Sequence, residues 1–164
     1  MILFAYASNM NMEEFRENIP LAQKLCNAYI PGYEFCFNKS GDDLSAKANI
    51  QPSTNAAAKV WGVLISIPEE QEEHFHENEE LDLVQMKCMC SDGEMKEAAV
   101  LISKPHAINN YLLPYDWYKQ KIVVFAKMGK LPEEYIKQLE RMEAKIDPDT
   151  KRRERRLEKI AKYL

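Results

Sequence analysis

Two kinds of apolar pattern run along this chain: short blocks rich in aromatic and β-branched residues, and stripes at helical spacing. Ile2–Tyr6 is a block of the first kind and predicts a buried strand. It leads through Ala7-Ser8-Asn9-Met10 to a helix start, where Asn11 can cap and Glu14 stands three positions on. Met12 and Phe15 supply that helix's apolar side, and Pro20 closes it. Leu25–Ile30 and Tyr33–Asn38 flank the turn dipeptide Pro31-Gly32, which predicts a hairpin. Lys39–Asp43 reads as a polar turn and Ala46–Gln51 as a further strand. Lys59–Ile67 is almost continuously apolar, the pattern of a strand covered on both faces.

Pro68 then suits the head of a helix, and Glu69, Glu70, Glu72 and Glu73 complement its dipole, which predicts an acidic helix to about Glu77. Val84–Cys90 alternates, Ser91-Asp92-Gly93 turns, and Met95–Ile102 returns as a hairpin partner. Ile122–Ala126 reads as a last strand. A helix from Pro132 carries Tyr135, Ile136, Leu139 and Met142 on one stripe. Asp147-Pro148 caps a final helix with Leu157, Ile160, Ala161 and Leu164 at helical spacing. Strict strand–helix alternation is missing and strands outnumber helices. The expected class is therefore α+β: a mixed, strongly curved sheet or small barrel with flanking helices. The 164 residues suit a single domain, 1–164, in which 147–164 form a C-terminal basic amphipathic helix.

Charge and composition narrow the function classes. The net charge of −4 argues against a general nucleic-acid binder. No apolar run approaches the roughly 20 residues of a membrane span, and the first residues lack the pattern of a signal peptide. Cys26, Cys36, Cys88 and Cys90 form no CxxC pair and read as reduced thiols, so a cytoplasmic location is expected. Only five glycines are present, and none builds a phosphate loop.

Chemistry concentrates in two segments. Backbone amides in the Tyr6–Met10 turn, at the head of a helix, suit a carboxylate or an oxyanion, with Ser8 and Asn9 as side-chain donors. The segment from Pro68 to Asp82 holds eight acids, mostly a solvated face. A carboxylate at its end could act as a general base, and the residues leave Glu77, Glu79 and Glu80 equivalent. His74 and His76 stand two apart, about 200° around a helix, so the i, i+4 spacing of a helical zinc site is not met. No metal site is expected. No Gly-x-Ser-x-Gly elbow supports a nucleophilic triad. Lys151–Lys162 carries seven basic residues and two Glu, a wet face open to a partner.

Four segments in order resemble the γ-glutamylcyclotransferase-like family. Phe4-Ala5-Tyr6-Ala7-Ser8-Asn9-Met10 is similar to its Tyr-Gly-Ser-Asn-Leu motif. Ala48-Asn49-Ile50 with Val60-Trp61-Gly62-Val63-Leu64 resembles its central strand pair. Phe75-His76-Glu77-Asn78-Glu79 resembles the Leu-Asp-x-x-Glu segment, and Leu131-Pro132-Glu133-Glu134-Tyr135 the Leu-Pro-x-x-Tyr element. Ala7 and Glu80 stand where the pattern has Gly. The resemblance implies cyclisation of a γ-glutamyl group to 5-oxoproline with release of an amine or amino acid, without metal or organic cofactor. It places the catalytic carboxylate on Glu79, beside the turn. It implies substrate binding by Tyr6, Ala7, Ser8, Asn9, Met10, Tyr118 and Tyr135 around one cavity. The expected partner is a small γ-glutamyl substrate, with neither membrane nor nucleic acid, and the expected state is a monomer or homodimer. The alternative is a catalytically degenerate module on the same scaffold that binds a ligand or a protein.

Overall fold

A computed structural model describes residues 1–164. Five strands close into a barrel in the order β1 (Ile2–Ala5), β5 (Lys59–Ser66), β2 (Gln23–Pro31), β6 (Leu81–Cys90), β7 (Met95–Ser103). Neighbours run antiparallel except at the closure, where β7 meets β1 in parallel through Leu3 and Ala99. Closure removes the sheet edges and wraps β5, where Val60, Val63, Leu64 and Ile65 are all fully buried. Two strands lie outside the barrel as a hairpin, β3 (Tyr33–Ser40) and β4 (Ala46–Pro52). The helices are α1 (Met12–Asn18), α2 (Asp116–Met128), α3 (Glu133–Arg141) and α4 (Thr150–Ala161). One core of 33 buried residues runs from Leu3 to Ile160. No helix is long and apolar enough to cross a membrane. The α+β class with a small curved barrel is as the sequence predicts.

Several local expectations change. The chain does turn at Gly32, whose φ of +76° favours glycine, yet β2 and β3 do not pair. Both edges of β2 are taken, by β5 and β6, so β3 must leave and pair with β4. Ile122–Ala126 is not a strand but the middle of α2. Its residues are buried throughout the run, so the segment shows no amphipathic period to betray the helix. The acidic helix shrinks to a 3₁₀ segment, Glu69–His74, with Pro68 ahead of it and Asn78 folding the chain back before β6. Asp149, not Asp147, caps α4. The α4 stripe ends at Ile160, since Ala161 and Leu164 are exposed, and Tyr163 packs on Phe125 instead.

α4 is fastened at its first turn. Arg152 reaches both oxygens of Asp147, and the Trp117 indole N–H donates to the same carboxylate at 2.9 Å. These hydrogen bonds, Arg152's foremost, hold Asp147 well below the usual carboxylate range. Arg153 binds Asp116 at the head of α2.

Candidate active site

The end of β1 sets the position of the Tyr6 turn. Gly62 on β5 lies so close that a Cβ there would come within 2.3 Å of the Ala5 carbonyl oxygen. Tyr6 is anchored by its hydroxyl, which donates to the Leu101 carbonyl on β7 at 2.6 Å. Burial raises its pKa far above the usual phenol value, so it stays a neutral donor. Ala7 has φ −135° and ψ −131°, a negative φ that accommodates its methyl group. Ser8–Met10 then form a single 3₁₀ turn, and the Asn11 side chain accepts from Glu13 N–H to start α1.

A cleft of about 220 Å³ opens above this turn. Tyr6, Ala7, Ser8 and Asn9 line one wall, and Tyr118, Lys39 and Lys47 line the other. The β3–β4 hairpin supplies both lysines, because register places Lys39 directly opposite Lys47. Two like charges face to face cost stability unless each is compensated. Each is. Lys39 binds the Glu80 carboxylate at 2.7 Å, and Lys47 binds Asp43 at 2.9 Å while its ammonium sits 4.7 Å from the Tyr118 ring centre. Tyr118, on α2, accepts the Ala48 N–H at 3.1 Å and is pushed up to about 12 by burial. The hairpin is stitched to the barrel by amides: Asn49 accepts from Ser103 N–H at 3.0 Å and donates to Asn38 at 2.9 Å.

The structure brings Tyr6, Ala7, Ser8, Asn9 and Tyr118 to one cleft. Met10 is buried in the core beneath it rather than lining it. Tyr135 borders the next cleft, with Tyr33, Phe35 and Trp61. It enters on the buried face of α3 and approaches Tyr6 from behind; its hydroxyl is sealed from solvent and burial raises its pKa. Glu79 is exposed, in no ion pair, and does not line the cleft. The cause is local: the Asn78 side chain accepts from the amides of Glu80 and Leu81, and Asn78 N–H donates to the Leu81 carbonyl. Glu79 and Glu80 stand at the tip of that tight loop. Glu80 falls on the cleft side and is held below the usual carboxylate range by its hydrogen bond to Lys39. All four cysteines are free, and burial pushes Cys36 and Cys88 up to about 12, so neither is a nucleophile near neutral pH.

Sequence reasoning misses Lys39 and Lys47. Lys39 falls in a stretch read as a polar turn, and Lys47 shows its importance only once the register sets it opposite Lys39.

Solved structures share this architecture. A gamma-glutamyl cyclotransferase superimposes with a TM-score of 0.84 at 23% identity over 98% of each chain. An uncharacterized protein from Homo sapiens gives 0.74 at 22% identity, covering 92% of this chain and 95% of that one. YkqA from Bacillus subtilis gives 0.66 at 18%, covering 86% of this chain and 53% of its own. No family model matches the sequence, and no curated protein does. This chain shares the fold of a solved gamma-glutamyl cyclotransferase.

Proposed function

We propose that the cleft at the Tyr6–Asn9 turn holds a γ-glutamyl group and that the protein cyclises it to 5-oxoproline. The carrying observation is the convergence in that cleft of the turn, Tyr118 and two lysines, on a scaffold shared with a cyclotransferase. The α-amine of the glutamyl group attacks its own γ-carbonyl carbon. The new C–N bond closes the ring, the old amide C–N bond breaks, and the amine's proton goes to the leaving nitrogen; no water is consumed. Intramolecular attack needs the chain held folded, which a small walled cleft does. Lys47, fixed in place by Asp43, has donors left over for the glutamyl α-carboxylate, and the turn amides suit the tetrahedral oxyanion.

The α-amine has a pKa of about 8 and needs a base. Glu80 is a poor one, because Lys39 already stabilises its charge. Glu79, beside it on the same loop tip and in no ion pair, is the proposed base once substrate extends to the cleft rim. Incubation with a panel of γ-glutamyl amides, followed by mass detection of 5-oxoproline, tests the activity. Product from at least one amide is expected, and none from any would overturn it.

The exposure of Glu79 also favours a second reading, a degenerate site that binds γ-glutamyl ligands without turnover. Calorimetric binding with no product would select that reading.

A further inference from the structure

A second, larger cleft of about 470 Å³ adjoins the first, and the two share Ser8 and Asn9. Its charge is of a different kind. Lys121 on α2 and Arg156, Lys159 and Lys162 around α4 face two carboxylates, Glu14 and Glu17. Lys162 is already paired, with Glu13 at 3.1 Å. Lys121, Arg156 and Lys159 have no carboxylate within salt-bridge distance. Yet they are brought together: Arg156 sits over Trp117, its guanidinium carbon 4.9 Å from the ring centre, and α4 is clamped by Asp147 and Asp116 at its other end. Lys121 is half-buried, and burial lowers its pKa, with Arg156 and Lys159 adding to that effect against Glu14. Arg156 and Lys159 are exposed and Glu14 opposes the repulsion at Lys121, so solvent and this carboxylate offset part of it, but no ion pair neutralises any of the three.

We infer that this cleft receives the leaving half of the substrate, and that this half is an acidic amino acid or peptide carrying at least two carboxylates. The inference rests on the cyclotransferase reading of the neighbouring cleft. Ser8 and Asn9 form the wall common to both, so a γ-glutamyl amide whose glutamyl part sits on one side projects its amine half to the other. Neutral amines gain nothing from three unpaired cations; a dicarboxylate supplies the counter-charges they lack.

The test compares γ-glutamyl-glutamate, γ-glutamyl-alanine and γ-glutamyl-ethylamide, by turnover and by calorimetric binding, in wild type, Lys121→Met, Lys159→Gln and Lys151→Gln. Lys151 stands on the same helix, exposed and outside the cleft. Wild type should prefer the dicarboxylate over the neutral amide by about tenfold or more, mostly in KM, and salt should erode that preference. Lys121→Met and Lys159→Gln should each lower the preference several-fold, roughly as expected for one charged contact, while Lys151→Gln leaves it intact. Equal kcat/KM for all three substrates, with turnover present, overturns the inference and leaves the cyclotransferase reading standing. Lysine-dependent binding of the dicarboxylate without any 5-oxoproline overturns the cyclotransferase reading and, with it, the assignment of a leaving half. An equal loss in Lys151→Gln overturns it in favour of bulk charge, and so does the absence of both binding and turnover.

Discussion

The two clefts either side of Ser8 and Asn9 solve the same electrostatic problem in opposite ways. In the inner one, Lys39 and Lys47 face each other across a hairpin, and each has its own carboxylate, Glu80 and Asp43. In the outer one, Lys121, Arg156 and Lys159 gather on two helices near Glu14 and Glu17, but none of the three is in an ion pair. Paired cations have set positions and little surplus field, which suits a site that must orient a small group. Unpaired cations keep their field for an incoming anion. The sheet supports the first arrangement and the helices support the second, so the two can be damaged separately.

Among changes to residues lining the two clefts, the largest effect should come from Lys47→Met, which removes the cation proposed to hold the glutamyl carboxylate. A charge-assisted contact of this kind is worth about 1.5–3 kcal/mol, so KM for every γ-glutamyl substrate should rise by about 10- to 100-fold whatever the leaving half. Steady-state kinetics with the ethylamide checks it; a rise confined to acidic substrates would merge the two clefts into one field.

Gly62→Ala attacks the inner cleft through the backbone. The added methyl meets the Ala5 carbonyl oxygen at 2.3 Å and the Phe4 ring at 2.8 Å, so β1 and β5 must part and the Tyr6 turn must shift. Overpacking of this sort costs about 1–3 kcal/mol, a fall in Tm of several degrees by calorimetry. Anion binding in the outer cleft should suffer less than γ-glutamyl binding in the inner one.

Much of the barrel is legible in the sequence, because Ile2–Tyr6, Lys59–Ile67 and Met95–Ile102 carry local signals of strand that the fold leaves unchanged. The same is true of the Tyr6–Asn9 turn, whose residues announce a capped helix start. What escapes is pairing. Pro31-Gly32 says that the chain turns but not that both edges of β2 are already occupied. Lys39 and Lys47 become a pair only through a register set by the turn between them, where Leu44 takes φ +66° and Asp43 accepts from Ser45. Ile122–Ala126 fails for a different reason, since a run buried on every side carries no period. Arg156 and Lys159 look like any solvated helix face until α2 brings Lys121 beside them.

A smaller effect is expected from Tyr118→Phe. It leaves the Ala48 N–H without its acceptor and should cost about 1–2 kcal/mol of stability, read from urea unfolding, while sparing the outer cleft. An unchanged midpoint would show that water replaces the hydroxyl there.

The smallest effect concerns acid. Asp147 has a folded-state pKa depressed below its unfolded value, so its contribution is complete above the unfolded pKa and is lost as the pH falls through the folded one. Loosening of α4, and with it loss of anion binding in the outer cleft, should therefore begin only below about pH 4. Asp147→Asn should flatten that part of the stability–pH curve; an unaltered curve would assign the acid loss to other carboxylates.

The claim on which the account turns is that Glu79, and not its neighbour Glu80, takes the proton from the attacking amine. Parallel measurement of 5-oxoproline formation by Glu79→Gln and Glu80→Gln decides it. The account predicts a loss of about 10²–10⁴ in kcat for Glu79→Gln, the usual share of a general base, with only a few-fold change for Glu80→Gln. Wild-type turnover in Glu79→Gln, or the large loss falling on Glu80→Gln instead, would contradict it.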